Sequence, residues 1–265
     1  MEPLLHTIAL EPERWKPARV SRPLIELLPA IQELGLSDLE VYEPHLLLAP
    51  SGTQLQKALQ EYELNPVILS SYLDLNPAIT SDAELERKIT QLVGLIAQYS
   101  FRRVRLFAGI RMSPDDVEGA GIFAARLSTL AARMPEVEFL VETHDLSLAD
   151  NPAFIFKLIN DLGRSNVKLL FQPTLFKREA ASAQFHLQQS LVHHLHLQNR
   201  DADGHFVSLA EGLVDWREIL TSSGPEVSCA IEFVPAGICS LESFDQEVVL
   251  AEIRAEAEFI RSLFL

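Results

Sequence analysis

Phe139-Leu-Val-Glu-Thr-His-Asp145 changes character half-way along. Phe139, Leu140 and Val141 suit a strand covered on both faces. Glu142, His144 and Asp145 do not suit a core, because an unpaired buried charge is costly. A strand that turns from apolar to ionisable at its C-terminal end is how an α/β barrel presents functional groups at its rim. Leu169-Leu-Phe-Gln172, Leu195-His196-Leu-Gln198 and Ala230-Ile-Glu232 make a comparable turn.

Around these stretches the chain alternates strand and helix. Strands are expected over 4–10, 39–42, 66–72 and 104–107 upstream, and over 167–171, 192–197 and 227–233 downstream. Leu85, Ile89, Leu92, Val93 and Ile96 fall on one helical face, as do Val249, Ile253, Ala257, Ile260 and Phe264 behind an Asp245 cap. Pro29 is expected to kink the helix between Ser21 and Leu34 or to mark its start. Residues 198–214 read as a long polar loop. The eight strand–helix units predict an α/β protein, a single (β/α)8 TIM barrel over residues 1–265. A doubly wound open sheet would carry a Gly-x-Gly-x-x-Gly turn after a strand, and none is present.

Composition narrows the function. The chain is 48% hydrophobic, enough for a sizeable core, and its net charge of −15 repels nucleic acid on average. Apolar runs stop well short of the ~20 residues of a membrane helix. Met1-Glu-Pro-Leu-Leu-His6 lacks the regions of a signal peptide, so a cytoplasmic protein is expected. Cys229 and Cys239 make no disulfide framework and read as structural thiols.

In a barrel, the ends of strands five to eight are neighbours on one rim. They would gather Glu142, Gln172, His196 and Glu232, two carboxylates, an amide oxygen and an imidazole. Such a set suits Mn²⁺, Mg²⁺, Co²⁺ or Zn²⁺ with positions open for substrate oxygens. Arg105, Arg111, Lys177, Arg178 and Arg200 lie at or near strand ends, where they could clamp a substrate carboxylate or phosphate; surface charge is the plainer account of any one. Arg105 stands out, since Val104 and Leu106 flank it and a period of two turns it to the other face. The same alternation puts His194 one layer below His196 as a hydrogen-bonded core histidine, with His193 facing away. Trp15 and Phe107 could stack on a sugar ring or simply pack. Asp203-Gly-His205 reads as a turn with an exposed histidine.

These motifs resemble the xylose-isomerase-like TIM-barrel superfamily of sugar isomerases, epimerases, inosose dehydratases and endonuclease IV enzymes. The matching residues are Leu39-Glu40-Val at strand two, Val141-Glu142-Thr-His144 at strand five and His194-Leu-His196-Leu-Gln-Asn199 at strand seven. Gly212-Leu-Val-Asp-Trp216 resembles the family's Gly-x-x-Asp-Trp/Phe turn, and Ala230-Ile-Glu232 completes the series. The resemblance implies that Glu142 and Glu232 are metal ligands and acid/base groups, with His196 the imidazole ligand. Gln172 stands where the family usually has Asp. His144 would touch substrate, and Arg200 matches an arginine of the ketose 3-epimerases. Pro173 replaces a small residue, and the histidine that follows in the epimerases is missing.

The expected function is a metal-dependent isomerase or epimerase of a small sugar or polyol, or a related dehydratase. It would move a proton next to a carbonyl through an enediolate, with Glu142 and Glu232 as the proton-transfer pair. The alternative is an altered barrel that binds a sugar-like ligand or a partner without turnover, because Gln172 leaves two carboxylates where the family has three. A DNA-repair endonuclease would need more histidine ligands and a basic groove. A homo-oligomer is compatible with this reading.

Overall fold

Eight parallel strands close on themselves. The computed structural model describes residues 1–12, 14, 20–49 and 51–264. The barrel strands are β1 (Leu4–His6), β2 (Asp38–Tyr42), β3 (Asn65–Ser70), β4 (Arg103–Phe107), β5 (Glu138–Glu142), β6 (Val167–Phe171), β7 (Val192–Leu197) and β10 (Ser228–Ile231). Each pairs with the next, and β10 returns to β1 with Leu4 opposite Ala230 and Leu5 opposite Ile231. The fold is therefore the (β/α)8 barrel that the alternation predicts.

The outer helices include α1 (Leu24–Glu33), α2 (Glu43–Leu47), α3 (Gly52–Glu61), α4 (Asp82–Tyr99) and α5 (Val117–Arg133). They continue with α6 (Pro152–Leu162), α7 (Arg178–Gln188), α8 (Trp216–Ser222) and α9 (Gln246–Ser262). Several begin at side-chain caps: Ser81, Asp116, Asn151, Asp215 and Asp245 each accept from a backbone N–H in the first turn. The main core lies between strands and helices and includes Leu39, Val141, Leu169 and Leu195 from the strands. A separate cluster of Leu4, Ile68, Leu140, Leu170 and Ala230 fills the inside of the barrel. Above it the inward positions are polar, and the site begins there.

Four details depart from expectation. β1 stops at His6, because residues 7–10 turn into a 3₁₀ helix. The His6 Nδ1 accepts the Ile8 N–H at 3.2 Å, and the Thr7 hydroxyl accepts the Tyr42 N–H at 2.9 Å, which pulls the chain out of strand geometry. Pro29 does not mark the start of α1, which begins at Leu24 and runs on through it. An interior proline costs about 3 kcal/mol, whereas fully burying one large aliphatic side chain contributes about 1.5–3 kcal/mol. Leu24, Leu27, Leu28 and Ile31 are all buried on this helix, so packing wins. The α2 helix after β2 carried no periodic signal, being little more than a single turn with Pro44 at its second position. The loop after β7 contains a two-stranded ribbon, β8 (Asn199–Arg200) against β9 (Phe206–Val207).

Cys229 is buried, which pushes its thiol up to about 12, and Cys239 is a half-buried free thiol. No helix among the described residues is long and apolar enough to cross a membrane. Trp15 lies outside the described residues.

Candidate active site

The floor of the site is built around Glu40. This inward residue of β2 is fully buried and receives ring nitrogens from two strands. His196 Nε2 lies 2.9 Å and His194 Nε2 3.1 Å from its Oε2. His6 Nε2 stands 3.5 Å from Oε1 and bonds Ser70 Oγ at 3.0 Å. Burial resists the negative charge, but the imidazoles around it, His196 foremost, hold the Glu40 carboxyl well below the usual range. His6 has the opposite outcome. Burial drives it down to about 3, so it is a neutral donor.

One layer higher, His196 turns its other nitrogen upward. Nδ1 lies 3.3 Å from Glu232 Oε1 and 3.8 Å from Glu142 Oε1. A lone pair pointing at two carboxylates would be repelled, so this space calls for a positive charge, either a proton or a metal cation. Without a cation the proton takes it. Burial opposes the charged ring, but Glu40 and Glu232 outweigh burial and hold His196 well above the ordinary histidine range.

The two carboxylates are positioned differently. Glu142, at the end of β5, faces the Arg105 guanidinium with Nε 2.9 Å from Oε2. Burial would raise Glu142, yet Arg105 and then His196 hold it low. Arg105 is itself buried, donates to Ser71 O at 3.2 Å, and lies over the rings of Tyr72 and Phe107. Glu232 follows β10 and accepts the Gln198 Nε2–H at 2.9 Å. Gln198 is fixed in turn by Trp216, whose indole donates to its carbonyl at 2.8 Å. This accounts for the Gly212-to-Trp216 motif. Asp215 caps α8 and Trp216 anchors Gln198. A Cβ on Gly212 would overlap the Asn199 amide, which ties the loop to Leu209 and Val214.

Gln172 closes the ring of strand ends. Its backbone is clamped by the Thr143 hydroxyl, which donates to its carbonyl at 2.6 Å and accepts its N–H at 2.7 Å. The side-chain Oε1 is buried with no hydrogen-bond partner, as is Gln198 Oε1, beside Glu142 and above His196 Nδ1. These atoms surround a cavity of about 260 Å³. His144 lines it with its ring edge-on to Phe107 at 5.2 Å between centroids. Arg200 lines it between the rings of Phe176 and Phe206, at 4.8 and 4.4 Å. Among the described residues Arg200 forms no ion pair.

All seven sequence-derived site residues thus border one space: six line the cavity directly and His196 lies at its floor. Phe107 lines it as well, whereas Arg111, Lys177 and Arg178 do not, and Arg178 pairs with Asp215 instead. His194 is the buried histidine of the layer below, and His193, at an irregularity in the β6–β7 register, pairs with Glu138 at 2.9 Å. His205 sits in an exposed turn against Asp201. Sequence reasoning missed a part for Glu40, although the alternation that singled out Arg105 marks it equally: one charge between Leu39 and Val41. It also missed Tyr72 and Gln198 as cavity wall.

Two groups of three have ligating atoms within 4.8 Å of one another in this region: His6, His196 and Glu232, and Glu40, His194 and His196. Glu142 joins neither, because Arg105 holds its Oε2 aside. The His196 Nδ1 and the orphaned amide oxygens are nevertheless the donor types of a divalent-cation site, so the residues fit such an ion.

The family model described as xylose isomerase-like TIM barrel matches residues 28–263. The chain belongs to the xylose isomerase-like TIM-barrel family. No curated protein matches it significantly by sequence. Solved members of similar shape include the probable 3-DHS dehydratase AsbF from Bacillus anthracis, at TM-score 0.73 and 18% identity over 98% of this chain and 99% of that one. An IOLI protein with a bound zinc atom superposes at TM-score 0.73 and 14% identity, covering 100% and 99% of the two chains. D-psicose 3-epimerase with D-tagatose, from Clostridium cellulolyticum H10, gives 0.69 and 14% over 99% of each. At these identities the likeness carries the fold, and chemistry has to be argued from the site.

Proposed function

We propose that this barrel is a divalent-metal-dependent isomerase or epimerase of a small sugar or polyol, moving a proton at a carbon next to a carbonyl. The observation that carries the reading is His196 Nδ1, buried and set between two carboxylates, 3.3 Å from Glu232 and 3.8 Å from Glu142. Glu142, Gln172, His196 and Glu232 would hold the cation, which supplies Lewis acidity toward a carbonyl and its neighbouring hydroxyl oxygen. The solved relatives whose names include an epimerase and a zinc-bound protein support this reading.

The chain's own groups would do the rest. Glu142 and Glu232 remove and return the proton. Arg105 holds Glu142 ionised and turned to one side. Gln198 keeps Glu232 facing the cavity. Phe107, Phe176 and Phe233 give apolar walls that exclude water, while His144 and Arg200 orient substrate hydroxyls from the rim. A cytoplasmic setting fits this chemistry. The Arg105–Glu142 pair also favours a second reading, a sugar-binding barrel without turnover. There the guanidinium supplies permanently the positive charge that a cation would bring.

The deciding experiment incubates the protein and Mn²⁺ in D₂O with a panel of ketoses, aldoses and inososes, and follows deuterium at the carbon beside the carbonyl by NMR. Elemental analysis of chelator-free protein and of Gln172→Asp accompanies it. Bound metal, deuterium incorporation and its loss in Glu142→Gln and Glu232→Gln are expected. No metal and no exchange in the wild type, with metal gained in Gln172→Asp, would move the assignment to the binding barrel.

A further inference from the structure

The buried carboxylate beneath the site has no part in the proton transfer just described, yet it touches the one imidazole on which that reading depends. We propose that Glu40 is a positioning residue that fixes the ring of His196, taking Nε2–H so that Nδ1 alone is presented to a cation between Glu142 and Glu232. The inference deepens the metal-dependent reading and rests on it.

Arg103 Nη1 donates to Ser228 Oγ at 2.8 Å, and Ser228 Oγ lies 2.6 Å from His194 Nδ1. The only other acceptor for that hydroxyl among the described residues is the His193 carbonyl, at 3.5 Å. The Ser228 proton therefore goes to His194 Nδ1, and His194 carries its own proton on Nε2, toward Glu40. His6 reaches the same state by another route, since its Nδ1 accepts the Ile8 N–H and leaves Nε2–H inward. Glu40 thus meets the ring N–H of His194, while His6 turns its own toward Ser70 Oγ at 3.0 Å, and His196 Nε2 lies nearest of all at 2.9 Å. A carboxylate can only accept there, so His196 also protonates Nε2.

This pattern excludes a second cation in the Glu40, His194 and His196 cluster, because both imidazoles spend Nε2 as donors. It also sets the ring's rotation, as Glu40 Oε1 and Oε2 stand 3.0 and 2.9 Å from the same nitrogen. A histidine that binds a metal through one nitrogen and gives the other N–H to a carboxylate is held in tautomer and orientation, and losing that carboxylate typically costs 10–100-fold in metal affinity.

The test uses Glu40→Gln and Glu40→Asp in the full chain, each first checked for a cooperative melt. Zn²⁺ affinity is measured by chelator competition, and long-range ¹H–¹⁵N spectra follow the His196 Nε2 proton. The amide of Glu40→Gln offers one acceptor to several N–H groups. Zn²⁺ should bind about 10–100-fold more weakly, with the His196 Nε2 proton shifted upfield or lost. Glu40→Asp should keep that resonance and recover part of the affinity. A Glu40→Gln protein whose Zn²⁺ affinity stays within about threefold of wild type, or whose His196 Nε2 proton is unmoved, overturns the proposal. If the wild type takes up no Zn²⁺, the metal-dependent reading fails instead, and the Nε2 resonance alone decides the role of Glu40.

Discussion

Arg105 is the residue on which the electrostatics of the site turn. Its guanidinium is buried against Glu142 and stacked on two aromatic rings, so removing either partner leaves the other without its countercharge. Breaking a buried pair of this kind typically costs about 3–5 kcal/mol. Arg105→Met should therefore lower the stability of metal-free protein by about that amount in urea unfolding. The loss should be partly repaired by Mn²⁺, because a bound cation compensates the freed Glu142 and stabilises the folded state by mass action. An equal effect of Mn²⁺ on the variant and the wild type would show that Glu142 does not face the cation. The position of Arg105 could be read from alternation within one strand. Its partner could not, since that required knowing how β4 and β5 register side by side.

Among the elements, α9 shows how a helix far from the cavity holds the loop that frames it. Glu256 is 5% exposed and accepts the Leu209 N–H at 3.0 Å, tying the loop after β7 to the last helix. Burial, joined by the charges of Glu252 and Glu211, pushes its carboxyl from 4.5 up to about 7. Between these values the folded chain keeps a proton that the unfolded chain has lost, so this group makes stability fall as pH rises through the window. Glu256→Gln keeps an acceptor for Leu209 without the charge. It should raise stability at pH 8 by about 1–3 kcal/mol, with no difference below pH 4.5. Urea midpoints across that range measure it, and an equal offset at both ends would mean that titration of Glu256 is not the cause. At this scale the sequence was uneven to read. Abrupt apolar-to-polar changes marked β5, β6, β7 and β10. The β8–β9 ribbon has strands of two residues, too short for any periodicity.

At the level of the whole molecule, closure creates what no local pattern contains. Glu40 and His196 are 156 residues apart in the chain, and they meet because β2 and β7 both face the barrel axis. The ring of strand ends was legible because each end announces itself. The floor beneath was not, because its meaning lies in pairs across the barrel. The same scale governs partners. With a net charge of −15, the average field opposes a polyanion. Duplex DNA carrying an abasic site should show no mobility shift at physiological salt with micromolar protein. A shift that weakens steeply with added salt would reveal a local basic channel that the charge balance hides.

Gln172 precedes Pro173, and the order of those two residues bears on how the protein ages. Spontaneous loss of a side-chain amide proceeds by cyclisation, in which the next residue's backbone N–H attacks the amide carbon. Proline has no such N–H. The neutral oxygen that closes the ring of strand ends is thereby shielded from drifting to glutamate over the lifetime of the molecule. At position 172 an old preparation should carry the same neutral side chain as a fresh one.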